Sequence, residues 1–309
     1  MKQYQYTHKF SRQHSAVGPT HTSFHANTAR SHSELRAVTH QHISANWYSP
    51  VMPPMICCLH SVFAALAASQ HGKTVYFIRH GQSEGNAAGL DKDHADPQYL
   101  DSPLTSRGRT QARSWHPAVN SWCIEIVLVS PLIRALETAA ILFERVPSGV
   151  SIQITPSARE GWWTASENRG RLAAGLLAGT ETGAAGEPVR WPAISDLPAS
   201  ERIVGLERVE APSPAAWDPV DENEFLALSP ATAEACWIAS LGRLEDEIMA
   251  CDASTIAVVC HWGVIKAFLE VNAPNCGVVK TRWWVDERTR ALEREVCEPA
   301  LTPPMDQIV

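Results

Sequence analysis

The chain has 309 residues and is 45% hydrophobic, enough for one large domain or two ordinary ones with a sizeable core. Its formal net charge of −7 is uneven: residues 1–72 carry Lys2, Lys9, Arg12, Arg30 and Arg36 against Glu34 alone, so 21 basic and 32 acidic residues leave −11 beyond them. A surface of that sign repels polyanions and argues against a nucleic-acid partner, no stretch is long and apolar enough to span a bilayer, and the eight cysteines show no C-x-x-C spacing suited to zinc or redox work.

Residues 1–72 hold nine of the thirteen histidines, many Ser and Thr, and no clear periodicity, so they read as a low-order N-terminal extension outside the folded domain. Being basic, Ser-rich and acid-poor, they resemble an organelle transit segment; the apolar run from Met55 to Ser69, ending in small residues, is closer to a secretory signal. An over-extended start is the third reading. The address is therefore cytoplasmic, or organellar if this segment is a transit peptide. The scattered histidine spacing does not suggest a metal site, and the cysteines read as buried reduced thiols.

From Lys73 the pattern becomes strand and helix in alternation. Thr74–Ile78 is a β-branched and aromatic run that predicts a buried strand ending at Arg79-His80-Gly81. Thr105 can cap a helix with Ala112, Trp115 and Val119 on one face. Cys123–Val129 reads as a second strand, and Ser130-Pro131 as a helix start with Leu132, Leu136, Ala139 and Phe143 behind it. Ser151–Thr155 is a third strand. Residues 161–229, rich in Gly, Ala, Pro and Trp, predict only short helical pieces and read as an insert. Ser229-Pro230 opens a helix with Trp237, Leu241, Leu244 and Ile248 on one stripe. Ser254–Cys260 is a fourth strand, Val264–Val271 a helix, and Val278–Val285 with Ala291–Cys297 a terminal hairpin. The alternation predicts an α/β fold, three layers α/β/α around a mainly parallel central sheet, whose chemistry lies beyond the strand carboxyl ends. His80 and His261 both follow a predicted strand.

Phosphoryl transfer through a side chain needs a neutral nucleophile, cations for the phosphate oxygens and an acid for the leaving oxygen. His80 can supply the first, because a neighbouring cation favours neutral imidazole, and Arg79 offers a planar fork of donors. Ser83 and Asn86 follow in the same loop with further polar groups.

The string Arg79-His80-Gly81-x-Ser83-x-x-Asn86 resembles the signature of the histidine phosphatase superfamily, also called phosphoglycerate mutase-like. Three further blocks match in order: Leu104-Thr105-x-x-Gly108-x-x-Gln111-Ala112, Ser130-Pro131-Leu132-x-Arg134-Ala135-x-x-Thr138, and Cys260-His261-Trp262-Gly263, where Cys stands in place of the commoner Ser or Thr. The resemblance covers about Thr74 to Phe268 and assigns residues 73–309 to one catalytic domain with its specificity insert at about 161–229. It implies a phosphohistidine on His80, phosphate held by Arg79, Arg134, His261, Asn86 and Ser83, and no metal or other cofactor. Glu160 falls where this branch carries its proton donor; Glu137, Glu167 and Glu187 are rivals. Trp262, where the acid-phosphatase branch has Asp, supports Glu160. Trp162, Arg169 and Arg171 are candidate substrate-binding residues, although an arginine pair in a polar loop is more often just solvated; His94 and His116 read as surface or packing residues. Gly85 stands where glycolytic mutases carry Trp, so the expectation is a phosphatase for a small phosphorylated metabolite. Phosphoglycerate mutase is the alternative, and a non-catalytic phosphate- or protein-binding member the third reading.

Overall fold

In the computed structural model, which describes residues 72–89, 97–161, 166–168, 170–182, 188–209, 230–298 and 300–305, the apolar run after Gly72 forms strand β1 (Lys73–Arg79). The other strands in chain order are β2 (Ile126–Val129), β3 (Ser151–Ile154), β4 (Thr180–Thr182), β5 (Pro188–Arg190), β6 (Ile203–Val204), β7 (Thr255–Cys260), β8 (Val278–Val285) and β9 (Leu292–Val296). Seven of them make one sheet in the order β6-β3-β2-β7-β1-β8-β9, with β4 and β5 paired separately. The pairs from β6 through to β1 are parallel; β8 and β9 are antiparallel and form the terminal hairpin expected around Asp286–Arg290.

Side-chain alternation puts helices on both faces. Tyr76, Ile78, Val127, Val129, Ala257 and Val259 pack in one core cluster, Val75, Phe77, Leu128, Ile256 and Val258 in the other. Helices α1 (Glu84–Ala88), α2 (Ser106–Arg113), α3 (His116–Val119) and α4 (Ile133–Leu142) precede a short α5 (Ala173–Ala178), the long α6 (Pro230–Ala250) and α7 (Trp262–Leu269). Leu136, Ala139 and Phe143 from α4 and its end fill the first cluster; Trp237, Leu241, Leu244 and Ile248 of α6 fill the second, together with Val264 and Ile265 of α7. Three layers result, as the sequence pattern predicts. Among the described residues no helix is long and apolar enough to cross a membrane.

Three local expectations need correction. The helix expected from Thr105 through Val119 is two, because Pro117 cannot continue an α-helical ladder and instead opens α3. The strand expected from Cys123 starts only at Ile126, since Cys123 has φ 52°, incompatible with extended chain. Ser130 does not cap α4. That helix begins at Ile133, whose N–H donates to Asp101 Oδ1 at 2.9 Å. Of the cysteines, Cys260 and Cys276 are buried free thiols, whereas Cys123 and Cys297 are exposed.

Glu137 ties α2 to α4. Its Oε1 accepts from Arg109 Nη2 at 3.0 Å and its Oε2 from the Leu104 N–H at 3.2 Å. Burial outweighs the Arg109 charge and pushes this carboxyl from its ordinary 4.5 up to about 7. The folded chain keeps the proton where the unfolded chain has lost it, so Glu137 costs stability as pH rises from 4.5 to about 7 and no more above that. His80 and His261, whose pKa values burial lowers, act in the opposite sense, so the difference between variants is the informative quantity. Across that window the stability of the native protein relative to E137Q should fall by on the order of 3 kcal/mol, read from denaturant midpoints at matched pH. Parallel pH curves for the two proteins would contradict it.

Candidate active site

Four adjacent parallel strands deliver the site. β1 ends at Arg79 and His80, β2 at Ser130, β7 at His261, and β3 leads through a 3-10 turn (Pro156–Ala158) to Glu160. The strand order β3-β2-β7-β1 lays these segments side by side, held by His80 N–H to Cys260 O at 3.0 Å, Ser130 N–H to Val259 O at 3.0 Å and Thr155 N–H to Val129 O at 2.7 Å. This is the carboxyl edge where open α/β sheets form clefts.

His80 is 3% exposed. Its Nδ1 lies 2.7 Å from the Gly81 carbonyl, which can only accept, so Nδ1 carries the proton and Nε2 a lone pair. Arg134 Nε, which can only donate, points at that lone pair from 3.2 Å. Burial, then the charges of Arg134 and Arg79, hold the ring well below the usual histidine pKa, so it is neutral near pH 7.

The loop carrying His80 is pinned by close backbone packing. A Cβ on Gly81 would lie 2.6 Å from Gly108 O, and one on Gly108 2.2 Å from Gln82 O, so neither position tolerates a side chain without displacement. Gln111 Oε1 accepts from Gln82 N–H at 2.9 Å, and Thr138 Oγ1 from Gly81 N–H at 3.0 Å. From the other side, Cys276 N–H donates to His80 O at 2.9 Å. Arg79 Nη1 donates to Ala273 O at 3.0 Å, and its Nε is a buried donor with no hydrogen-bond partner.

Arg134, 1% exposed, is the hub. Besides His80 it donates through Nη2 to Asn168 Oδ1 at 2.7 Å, approaches His261 Nδ1 at 3.3 Å, and bonds the Glu167 carbonyl through Nη1. The rings of His80 and His261 lie 5.1 Å apart between centroids. Since Arg134 can only donate, His261 Nδ1 accepts, and Nε2–H donates to Ser130 Oγ at 2.8 Å. His261 is fully buried, and burial followed by Arg134 lowers its pKa well below the usual value.

Glu160 faces the same helix start. Its Oε2 accepts from Gly263 N–H at 2.9 Å, in the first turn of α7, and its Oε1 from Gly161 N–H at 2.9 Å. Burial raises its pKa, while the Gly263 bond, Arg134 and the Gly161 bond oppose the rise. Of the rival acids, Glu137 braces α2 as described; Glu167 stands at the edge of the site, offering its carbonyl to Arg134 while its carboxyl charge acts on Arg79; and Glu187 lies outside the described residues.

Other candidates are placed differently from expectation. Ser83 caps α1, its Oγ accepting from Asn86 N–H at 3.1 Å, and Asn86 Oδ1 accepts from Asn275 Nδ2 at 2.8 Å. Both therefore stabilise the turn after His80. Arg171 is buried on Asp101, with Nη1 3.2 Å from Oδ2, and stacks at 3.6 Å over Trp191. It also donates to the Asp101 and Leu100 carbonyls, each at 2.8 Å, so these bonds of its fork anchor the residue that caps α4. Removing one partner of such a buried pair costs about 3–5 kcal/mol. Trp162, Arg169 and His94 lie outside the described residues. His116 packs against the Ile141 carbonyl at 2.8 Å.

Comparison with known proteins meets this geometry. Residues 75–173 match the family model of the histidine phosphatase superfamily (branch 1). Those residues belong to the histidine phosphatase superfamily. They include Arg79, His80, Arg134 and Glu160; His261 is added by β7 beyond them. Adenosylcobalamin/alpha-ribazole phosphatase of Escherichia coli is 33% identical over 98 residues, 31% of this chain and 45% of that protein. Phosphoglycerate mutase-like protein 2 of Arabidopsis thaliana is 36% identical over 98 residues, 29% of this chain and 28% of its own. The chain thus matches less than half the length of these relatives. Among solved structures, mycobacterial glucosyl-3-phosphoglycerate phosphatase is 17% identical, with 74% of this chain and 99% of that one covered at a TM-score of 0.41.

The sequence marks Ser130 only as a helix start, and its contact with His261 appears in the structure. Ser130→Ala strands a buried ring nitrogen, at about 1–3 kcal/mol, so affinity for inorganic phosphate should drop about tenfold or more. Ser130→Thr should retain most of it. Calorimetric titration checks both, and unchanged affinity in Ser130→Ala would refute a role for this bond.

Proposed function

We propose that this chain is a phosphatase that hydrolyses a small phosphorylated metabolite through a phosphohistidine on His80, with residues 73–309 as the catalytic unit and no metal in the reaction. The observation that carries the reading is the His80 lone pair on Nε2, which faces Arg134 in a buried cluster with His261 and Glu160.

In this reading, His80 Nε2 attacks phosphorus as the bond to the ester oxygen breaks. Glu160, kept protonatable by burial, gives its proton to the departing oxygen. Arg134 turns its donors from the histidines to the phosphate oxygens, and Arg79 contributes its unpartnered Nε. The Ser130 hydroxyl can accept from His261 Nε2–H or donate to Nε2, so His261 can move its proton to Nδ1 and become a donor to phosphate. A water, deprotonated by Glu160, then attacks the phosphohistidine; phosphate leaves, His80 Nε2 regains its lone pair, and Glu160 its proton.

Mutase chemistry would use the same intermediate and return the phosphoryl group to a second hydroxyl. Gly85 favours hydrolysis by the resemblance, because it stands at the position of the mutase Trp and a Cβ there would meet Glu167 Oε2 at 2.2 Å. The purified full chain should release phosphate from an aryl phosphate and keep that activity in chelator, and His80→Ala should lose about 1,000-fold or more in kcat/KM. Full activity in His80→Ala would refute the reading. Rapid interconversion of the two monophosphoglycerates without free phosphate would replace it with the mutase.

A further inference from the structure

The insert contributes one side chain to the centre of the site that neither the sequence pattern nor the four family blocks single out. Asn168 ends a 3-10 turn (Ser166–Asn168) and is 6% exposed. Its Oδ1 accepts from Arg134 Nη2 at 2.7 Å and its Nδ2 donates to Gly161 O at 3.0 Å. Because arginine only donates and a carbonyl only accepts, these two partners fix which end of the amide points which way.

The next bonds close a ring. The N–H of Gly161 holds Glu160 Oε1 at 2.9 Å; Glu160 Oε2 takes Gly263 N–H at 2.9 Å; Gly263 lies in the first turn of the helix that His261 caps; and His261 Nδ1 returns to Arg134 Nη2 at 3.3 Å. Within this ring, Asn168 joins the arginine to the peptide that orients the acid. We infer that Asn168 is a positioning residue that couples the phosphate-binding guanidinium of Arg134 to the carboxyl group of Glu160.

An amide is the fitting group for this task. It offers one acceptor and one donor on a short, planar end, and either half can be removed separately. Aspartate keeps the acceptor for Arg134 but turns an oxygen toward the Gly161 carbonyl, which repels it. Alanine removes both contacts. Displacing the Gly161 peptide weakens a hydrogen bond that favours the charged form of Glu160, so the acid should hold its proton to higher pH. The added charge of aspartate acts in the same direction, and alanine, being neutral, separates the two causes.

The inference rests on the phosphatase reading for its pH arm alone. Full-length Asn168→Asp and Asn168→Ala would be compared with the native protein by the pH profile of kcat on an aryl phosphate and by calorimetric affinity for inorganic phosphate. The limb of the profile set by Glu160 should move to higher pH in both variants, by about half a pH step or more. Phosphate affinity should stay within about threefold in Asn168→Asp and fall about fivefold or more in Asn168→Ala. Coincident pH profiles, or equal loss of phosphate affinity in the two variants, would overturn the inference, since a residue that only supports folding would lower both readouts together. A native protein that turns over nothing would refute the phosphatase reading, while the phosphate contrast between the variants would still decide whether Asn168 holds Arg134.

Discussion

A guanidinium charge with 1% of its residue surface exposed must be met on every side, and meeting Arg134 organises this site. Its donors reach His80, His261, Asn168 and the Glu167 carbonyl, which come from β1, β7 and the insert. Holding it there requires α4 to start at one definite place. Asp101 fixes that start by accepting the Ile133 N–H, and Arg171 fixes Asp101. Thr138, one turn after Arg134, accepts from Gly81 and donates to the Arg134 carbonyl at 2.7 Å, so the helix and the histidine loop move as one. The burial of a single cation thus propagates outward into the placement of three segments.

The same burial sets the chemistry. Withdrawing water lowers the pKa of both imidazoles and raises that of Glu160, because it disfavours whichever form is charged. Neutral imidazoles and a carboxyl that holds its proton to higher pH follow from one cause acting on groups of opposite charge type. The arginines reinforce the effect on the histidines and oppose it on the carboxyl. The bonds to Gly263 and Gly161 also restrain the rise at Glu160.

Much of this was legible in the sequence, and the boundary has physical reasons. Buried strands and amphipathic helices write themselves as local periodicity, so β1, β7, α6 and the terminal hairpin could be read directly, and Arg79, His80, Arg134, Glu160 and His261 stand in or beside the four ordered blocks and the third strand. Contacts made across long sequence separations leave no such trace. Asp101 caps a helix 32 residues away; its left-handed backbone, φ 42°, carries no signal in a residue that also favours turns. Ser130 followed by Pro is a sound cap signal, yet the distant cap frees its hydroxyl for His261. Arg171 reads from sequence as a substrate cation or a solvated one because its partner, Asp101, lies 70 residues away. Ser83 and Asn86, read as phosphate donors from their place in the loop, are turned inward by capping and by Asn275. Asn168 sits in an insert with no periodicity, and only the fold shows that it reaches the arginine.

The central claim is that the lone pair on His80 Nε2 takes the phosphoryl group. The most direct measurement is mass spectrometry of the protein mixed with an aryl phosphate and quenched within milliseconds at alkaline pH, where a phosphorus–nitrogen bond survives. The account predicts one added phosphoryl group on the peptide containing His80, formed and lost at rates that match turnover. Turnover with no phosphoryl group on that peptide, or with the group on another residue, would contradict it.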